Sequence, residues 1–252
     1  MALTDSQLLR YARNILLADV DIKGQEALLA ANVLVVGVGG LGSPIVQYLA
    51  AAGIGALTLA DADYVDETNL QRQIIHTQDT VGQLKVNSAA QWVHQLNSDV
   101  SVEVISENVT SVNAKRLVAN ADVVVVGSDN FSSRYLLNET CYRLNTPLVS
   151  AAAIGLSGQL TSFDFRQESS ACFACVYPDG QDDQVSCATA GVLGPVVGTM
   201  GSLAALEVLK IIVGFGAPLF GQLLTWDAKS LEFQKFNYAK NTACPVCHSV
   251  KA

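Results

Sequence analysis

Apolar residues recur at helical spacing over residues 5–17 and 22–30, then give way to a run rich in β-branched residues at 32–36 that reads as a buried strand. The run stops at Gly37-Val38-Gly39-Gly40-Leu41-Gly42, and Ser43 is placed to cap a helix with Pro44 in its first turn. Ile45, Val46, Leu49 and Ala50 supply that helix's apolar face, and Gly53 ends it. A second strand at 56–60 ends in Asp61. Val86, Ala89, Ala90, Val93 and Leu96 mark the next helix face, 102–105 a strand, 113–119 a helix, 123–126 a fully apolar strand and 132–144 a helix. Strand signals then recur at 159–165, 223–227 and 232–237 with fewer helices between them, which predicts antiparallel additions. Residues 167–190, rich in Ser, Asp, Gln, Gly and Cys, read as a long loop. The alternation predicts an α/β fold of the Rossmann-like, doubly wound type: a mostly parallel sheet with antiparallel C-terminal strands.

Composition narrows the classes. Half of the 252 residues are hydrophobic and 15% are charged, enough apolar surface for one large core and a single domain over 1–252. Fifteen Lys+Arg against 23 Asp+Glu leave a net charge of −8, which repels a polyanion and argues against nucleic acid. Residues 1–21 lack the continuous apolar stretch of a signal peptide, being interrupted by Arg10, Arg13 and Asp19. The most apolar segment, 194–213, carries Glu207, Lys210 and several glycines and reads as a buried helix, not a membrane span. A soluble, cytoplasmic protein is expected.

In a reducing compartment, two C-x-x-C pairs, Cys172 with Cys175 and Cys244 with Cys247, are better metal ligands than disulfides. Four thiolates make a closed tetrahedral Zn²⁺ site that is structural, because no position is left open for water. The glycine loop alone serves an NAD- or FAD-dependent oxidoreductase as well as any other nucleotide enzyme. Its surroundings change that. Asp61, about 20 residues past the loop, can accept from ribose hydroxyls. Thr68-Asn69-Leu70-Gln71-Arg72-Gln73, Lys85 and Ser128-Asp129-Asn130 follow the carboxyl ends of predicted strands, where ligands bind in open sheets. Arg72 and Lys85 can neutralise phosphate oxygens and Asp129 can hold a bridging Mg²⁺, which is chemistry for a triphosphate. Cys141, His76, His94 and Trp92 read as packing residues without a chemical role. Arg10 and Arg13 by themselves fit a solvated helix face equally well. Cys187, in a polar stretch, is either an exposed reactive thiol or an inert one.

Taken in order, Arg10-Tyr11-Ala12-Arg13-Asn14, Gly37 to Gly42, Asp61 to Asp63, Asn69 to Gln73, Lys85, Asp129-Asn130, both cysteine pairs and Cys187 resemble the MoeB/ThiF family of ubiquitin-activating-enzyme-like adenylyltransferases. The resemblance covers essentially the whole chain, with Ser128 and His248 as small departures from the usual pattern. It implies one ThiF-type adenylation domain: N-terminal helices (1–31), a nucleotide-binding core (32–165), a flexible loop (166–190) and a C-terminal part closing the zinc site (191–252). The implied activity is ATP- and Mg²⁺-dependent adenylation of the C-terminal glycine of a ubiquitin-like sulfur-carrier protein ending in Gly-Gly, of the ThiS or MoaD type, for thiamine or molybdopterin synthesis.

Carried onto this chain, the resemblance implies that Gly37, Gly39, Gly40 and Gly42 pack against the nucleotide and Asp61 holds the ribose, with Asp63 beside it. Asn69, Arg72 and Lys85 would contact the phosphates, Thr68, Leu70 and Gln71 would belong to the same nucleotide-binding stretch, and Asp129 would position Mg²⁺ with Asn130 beside it. Arg13 would act across a homodimer, and Cys187 would carry the activated carrier in thiamine-type members. With no domain expected after Cys247, sulfur would come from a separate donor such as a cysteine desulfurase or rhodanese. An NAD(P)-dependent oxidoreductase and a non-catalytic carrier-binding scaffold are the competing readings; the retained Arg72, Lys85 and Asp129 count against the scaffold.

Overall fold

The computed structural model describes residues 3–128, 130–178, 180 and 191–248. Five parallel strands, β1 (Asn32–Val36), β2 (Ala56–Ala60), β3 (Ser101–Ile105), β4 (Val123–Val126) and β5 (Leu148–Ile154), lie in the order β3-β2-β1-β4-β5. The sheet continues antiparallel through β6 (Ser157–Phe163), β7 (Gln222–Asp227) and β8 (Glu232–Asn237). This is the mixed, doubly wound architecture expected. Strand β5 is an addition to the expected elements, and α4 (Gly42–Ala52) begins before Ser43. Ser43 is therefore not a cap: its hydroxyl donates to the Gly39 carbonyl at 2.7 Å inside the first turn.

Alternate residues of the central strands feed two cores, because successive side chains leave a strand on opposite faces. Val33, Val35, Leu57 and Leu59 pack under α3 (Asp21–Ala30), α4, α5 (Lys85–Leu96) and the long helix Gly194–Val213. Leu34, Val36, Val124 and Val126 pack on the other face with α6 (Ala114–Ala119), α7 (Phe131–Leu144) and all four predicted metal-ligand cysteines. Each such fully buried aliphatic side chain contributes roughly 1.5–3 kcal/mol.

After the short α8 (Phe173–Val176) comes α9 (Gly194–Val213), the one helix among the described residues long and apolar enough to cross a membrane. Here it lies across the sheet against β4, β5, β6, α3 and α4. Its buried Glu207 accepts from the Ser162 hydroxyl at 2.8 Å and the Leu219 amide at 2.7 Å, and pairs with Lys210. A buried carboxylate so surrounded avoids the penalty of an unpartnered charge.

The N-terminal helices α1 (Asp5–Arg10) and α2 (Ala12–Ile15) are fastened by Tyr11, 1% exposed, whose hydroxyl accepts from Asn97 at 2.8 Å. Tyr11 covers Gly53, the left-handed C-cap of α4, where a β-carbon would fall 2.5 Å from the ring. Arg10 donates to the Leu96 carbonyl at 3.0 Å and so tethers its own chain, whereas Arg13 is exposed.

Candidate functional site

Strands β1, β2 and β4 end in register, Val36 beside Ala60 and Val126, so the turns that follow them converge on one rim of the sheet. The turn after β1 must double back tightly into α4. Gly42 permits this, since a β-carbon there would stand 2.1 Å from the Gly37 carbonyl oxygen. Above the rim opens a cavity of about 570 Å³. Gly37, Gly39 and Gly40 form one wall, Asp61, Asp63 and Lys85 a second, and Asn69, Arg72 and Gln73 a third. Ser128, Asn130, Phe131, Arg134 and Tyr177 close the far side.

The second wall is already braced. Asp61 accepts from the Val38 amide at 2.8 Å and from the Asp63 amide at 2.9 Å, fixing the glycine turn to the end of β2. Burial raises the Asp61 carboxyl pKa, while those two amides and the Lys85 charge pull it back. Lys85, whose side chain is 8% exposed, donates to Asp63 at 2.8 Å, so its ammonium is held at the cavity instead of sweeping through solvent. Asn69 caps the short turn Glu67–Asn69 by accepting from the Asp66 amide at 3.3 Å. Arg72 donates to the Thr68 carbonyl at 3.0 Å, which orients its guanidinium from the same turn. The result is a preorganised pair of cations facing a glycine-lined floor, an arrangement suited to phosphate oxygens.

Not every expected residue reaches the wall. Gly42 acts beneath it through the close approach to Gly37; Thr68, Leu70 and Gln71 build the turn that presents Asn69 and Arg72 but do not line the cavity. Arg13 is exposed on α2 and does not line its own chain's cavity. Asp129 and Cys187 lie outside the described residues.

Three residues without an assigned role in the sequence are built into the site. Arg134, 6% exposed, donates to Ser150 Oγ at 2.7 Å, to the Ala151 carbonyl at 2.7 Å and to the Ser128 carbonyl, tying the β4 turn to β5. A charged residue one turn into an otherwise core-facing helix was the available signal. Gln73 is 4% exposed, and its Oε1, beside the glycine turn, has no hydrogen-bond partner among the described residues. His76, also 4% exposed, lies within 3.1 Å of the Val38 carbonyl through Nε2 and 2.9 Å of Ser88 Oγ through Nδ1. A carbonyl only accepts, so Nε2 carries the proton and Nδ1 accepts from the serine.

Behind α7, the sulfurs of Cys172, Cys175, Cys244 and Cys247 lie within 4.8 Å of one another. Three of the pairs are 3.9, 3.5 and 3.4 Å apart. A tetrahedral zinc with bonds of about 2.3 Å sets sulfurs about 3.8 Å apart, so the donor set and its spacing fit that ion. Burial pushes the Cys172 thiol up to about 12 and raises Cys247 as well. Cys244 falls to about 7, where backbone amides of Cys247 and Val246 outweigh its burial. Four such thiols shed their protons together only against a cation.

Residues 11–246 match the ThiF family. The chain is 43% identical to the SAMP-activating enzyme E1 of Haloferax volcanii, over 98% of this chain and 91% of that protein. It is 42% identical to the sulfur carrier protein ThiS adenylyltransferase of Escherichia coli, over 97% of each. Identity to the molybdopterin-synthase adenylyltransferase of Salmonella typhimurium is 40%, over 97% of this chain and 98% of that one. Among solved structures, E. coli MccB with MccA-N7isoASN superposes with a TM-score of 0.84 at 25% identity, covering 94% of this chain and 74% of that one. With residues 11–246 matching the family and relatives of 40–43% identity covering 97–98% of its length, the chain belongs to the ThiF family.

Proposed function

We propose that this chain adenylates the C-terminal glycine of a ubiquitin-like sulfur-carrier protein at the expense of ATP. The observation that carries the reading is the cavity itself, where Lys85 is held by Asp63 of its own wall and Arg72 by the Thr68 carbonyl of the turn that presents it, both facing the glycine wall. A carrier carboxylate oxygen attacks the α-phosphorus, the bond to the bridging oxygen breaks, and pyrophosphate leaves with that electron pair. The attacking carboxylate is ionised at neutral pH, so no general base is required. Lys85 and Arg72 stabilise charge on the phosphates, while the turn held by Asp61 and His76 fixes the nucleotide's approach; catalysis is mainly positioning and electrostatics.

Asp129 would hold Mg²⁺, which when bound neutralises phosphate charge. Zn²⁺ would sit on Cys172, Cys175, Cys244 and Cys247 as a structural ion. The enzyme works as a cytoplasmic homodimer in which Arg13, exposed on α2, enters the partner's cavity. A separate protein supplies sulfur to the adenylated carrier. Relatives of both the thiamine and the molybdopterin type support the carrier class without choosing between them. The test is ATP–pyrophosphate exchange: it should require a Gly-Gly-ended carrier and fall by roughly a hundredfold or more in Arg72→Ala. Exchange at full rate in that variant would overturn the site.

A further inference from the structure

Helix α7 runs from the cavity to the cysteine cluster, and one of its side chains is left with an unmet donor there. Asn138 is fully buried. One end of its amide lies 2.8 Å from the Phe173 backbone N–H, which can only donate, so that end is Oδ1. The other end, Nδ2, meets no acceptor at hydrogen-bonding geometry among the described residues. The residue preceding Phe173 is Cys172, so the Oδ1 contact sets this amide beside the cysteine cluster to which the Cys172 sulfur belongs. A buried amide donor left without an acceptor is costly, and a neutral thiol is a poor acceptor. A metal-bound thiolate keeps negative charge on sulfur and is a good one.

We propose that Asn138 is a positioning residue for the metal centre, donating its Nδ2–H to the Cys172 thiolate. The inference rests on the zinc reading above. One turn further along α7, the Tyr142 hydroxyl donates to the Cys247 carbonyl at 3.1 Å, so the helix holds one member of each C-x-x-C pair. The opposite end of α7 carries Asn130, Phe131 and Arg134 into the cavity wall. The metal knot is therefore hydrogen-bonded to the helix that shapes the site, and not merely a clip on the C-terminal tail. Hydrogen bonds of this kind around metal ligands are commonly worth 10–100-fold in metal affinity.

Asn138→Asp separates the two ends of the amide: it keeps an acceptor for Phe173 and replaces the donor with an oxygen facing the thiolate. Zinc affinity of the full chain, measured by competition with a chromogenic chelator, should fall 10–100-fold, with less than a threefold change in Tyr142→Phe, which keeps the ring and removes the bond to the Cys247 carbonyl, not one to a sulfur. Unchanged affinity in Asn138→Asp would overturn the proposal. If that variant fails to fold, the wild-type protein loaded with ¹¹³Cd decides: its Asn138 side-chain amide proton should show a scalar coupling to the metal through the N–H···S contact. An assigned Asn138 amide without that coupling overturns the proposal while leaving the cysteine site intact. A wild-type chain that binds neither ion at these cysteines defeats the zinc reading itself and the proposal with it.

Discussion

His76 offers a perturbation whose size follows from the structure. Its ring spans from the glycine turn to α5, donating to the Val38 carbonyl and accepting from Ser88. The Val38 amide in turn is held by Asp61, so the peptides on either side of this turn residue are both pinned. Burial lowers the His76 pKa from 6.5 to about 4, against the pull of the Val38 carbonyl and with help from the nearby Lys85 charge. The unfolded chain therefore takes up this proton as pH falls below 6.5, and the folded chain only near 4. Stability contributed by the neutral ring is present above pH 6.5 and is lost as the pH falls toward 4. Between pH 7.5 and pH 5 this one group should remove about 2 kcal/mol of unfolding free energy. His76→Gln retains a donor and an acceptor but does not titrate. Urea denaturation of both proteins at the two pH values isolates the term. The variant should be the less stable at pH 7.5 by about 1 kcal/mol and, at pH 5, the more stable by about the same amount. An identical pH dependence in both proteins would refute the reasoning.

Gly42→Ala should unfold or strongly destabilise the chain, because the added carbon meets the Gly37 carbonyl oxygen at 2.1 Å. Gly39→Ala, where the nearest atom is a side-chain nitrogen at 3.5 Å, should melt within a few degrees of wild type while losing ATP affinity; thermal melts with and without ATP check both. Mixing Arg13→Ala and Asp129→Ala chains should restore roughly half of wild-type exchange per heterodimer, since one site then carries both defects and the other neither. No recovery despite demonstrated subunit exchange would mean that Arg13 does not act across the interface. Cys187→Ala should leave pyrophosphate exchange nearly intact; under the thiamine-type reading it should abolish a reductant-sensitive enzyme–carrier conjugate seen by non-reducing mass spectrometry.

The parallel half of the fold was legible because β1, β2 and β4 are short, mostly apolar runs followed by turn residues, a pattern visible in local sequence. Strand β5 was not. Its Leu-Val-Ser-Ala-Ala-Ala-Ile has weak strand propensity, and it is extended because it pairs with β4 and β6 while Ala151 and Ala153 leave room for α9. Ser43 misled for a related reason: the tight Gly37–Gly42 approach lets the helix start early, so the hydroxyl turns back on Gly39. The cavity's polar and charged residues stood out because Asn69, Arg72 and Lys85 lie in the segments that follow apolar strands. Arg134, Asn138 and His76 did not, because their meaning lies in partners far along the chain, the carbonyls of β5, the amide of Phe173 and the carbonyl of Val38.

The central claim is that this cavity joins AMP to a carrier's terminal carboxylate. Incubating the enzyme with ATP, Mg²⁺ and a Gly-Gly-ended sulfur-carrier protein, without any sulfur donor, and weighing the carrier by intact mass spectrometry tests it most directly. The carrier should become heavier by one adenylyl group, lost on mild base treatment and absent when the terminal glycine is deleted. A carrier of unchanged mass, with enzyme shown to be folded and to bind ATP, would contradict it.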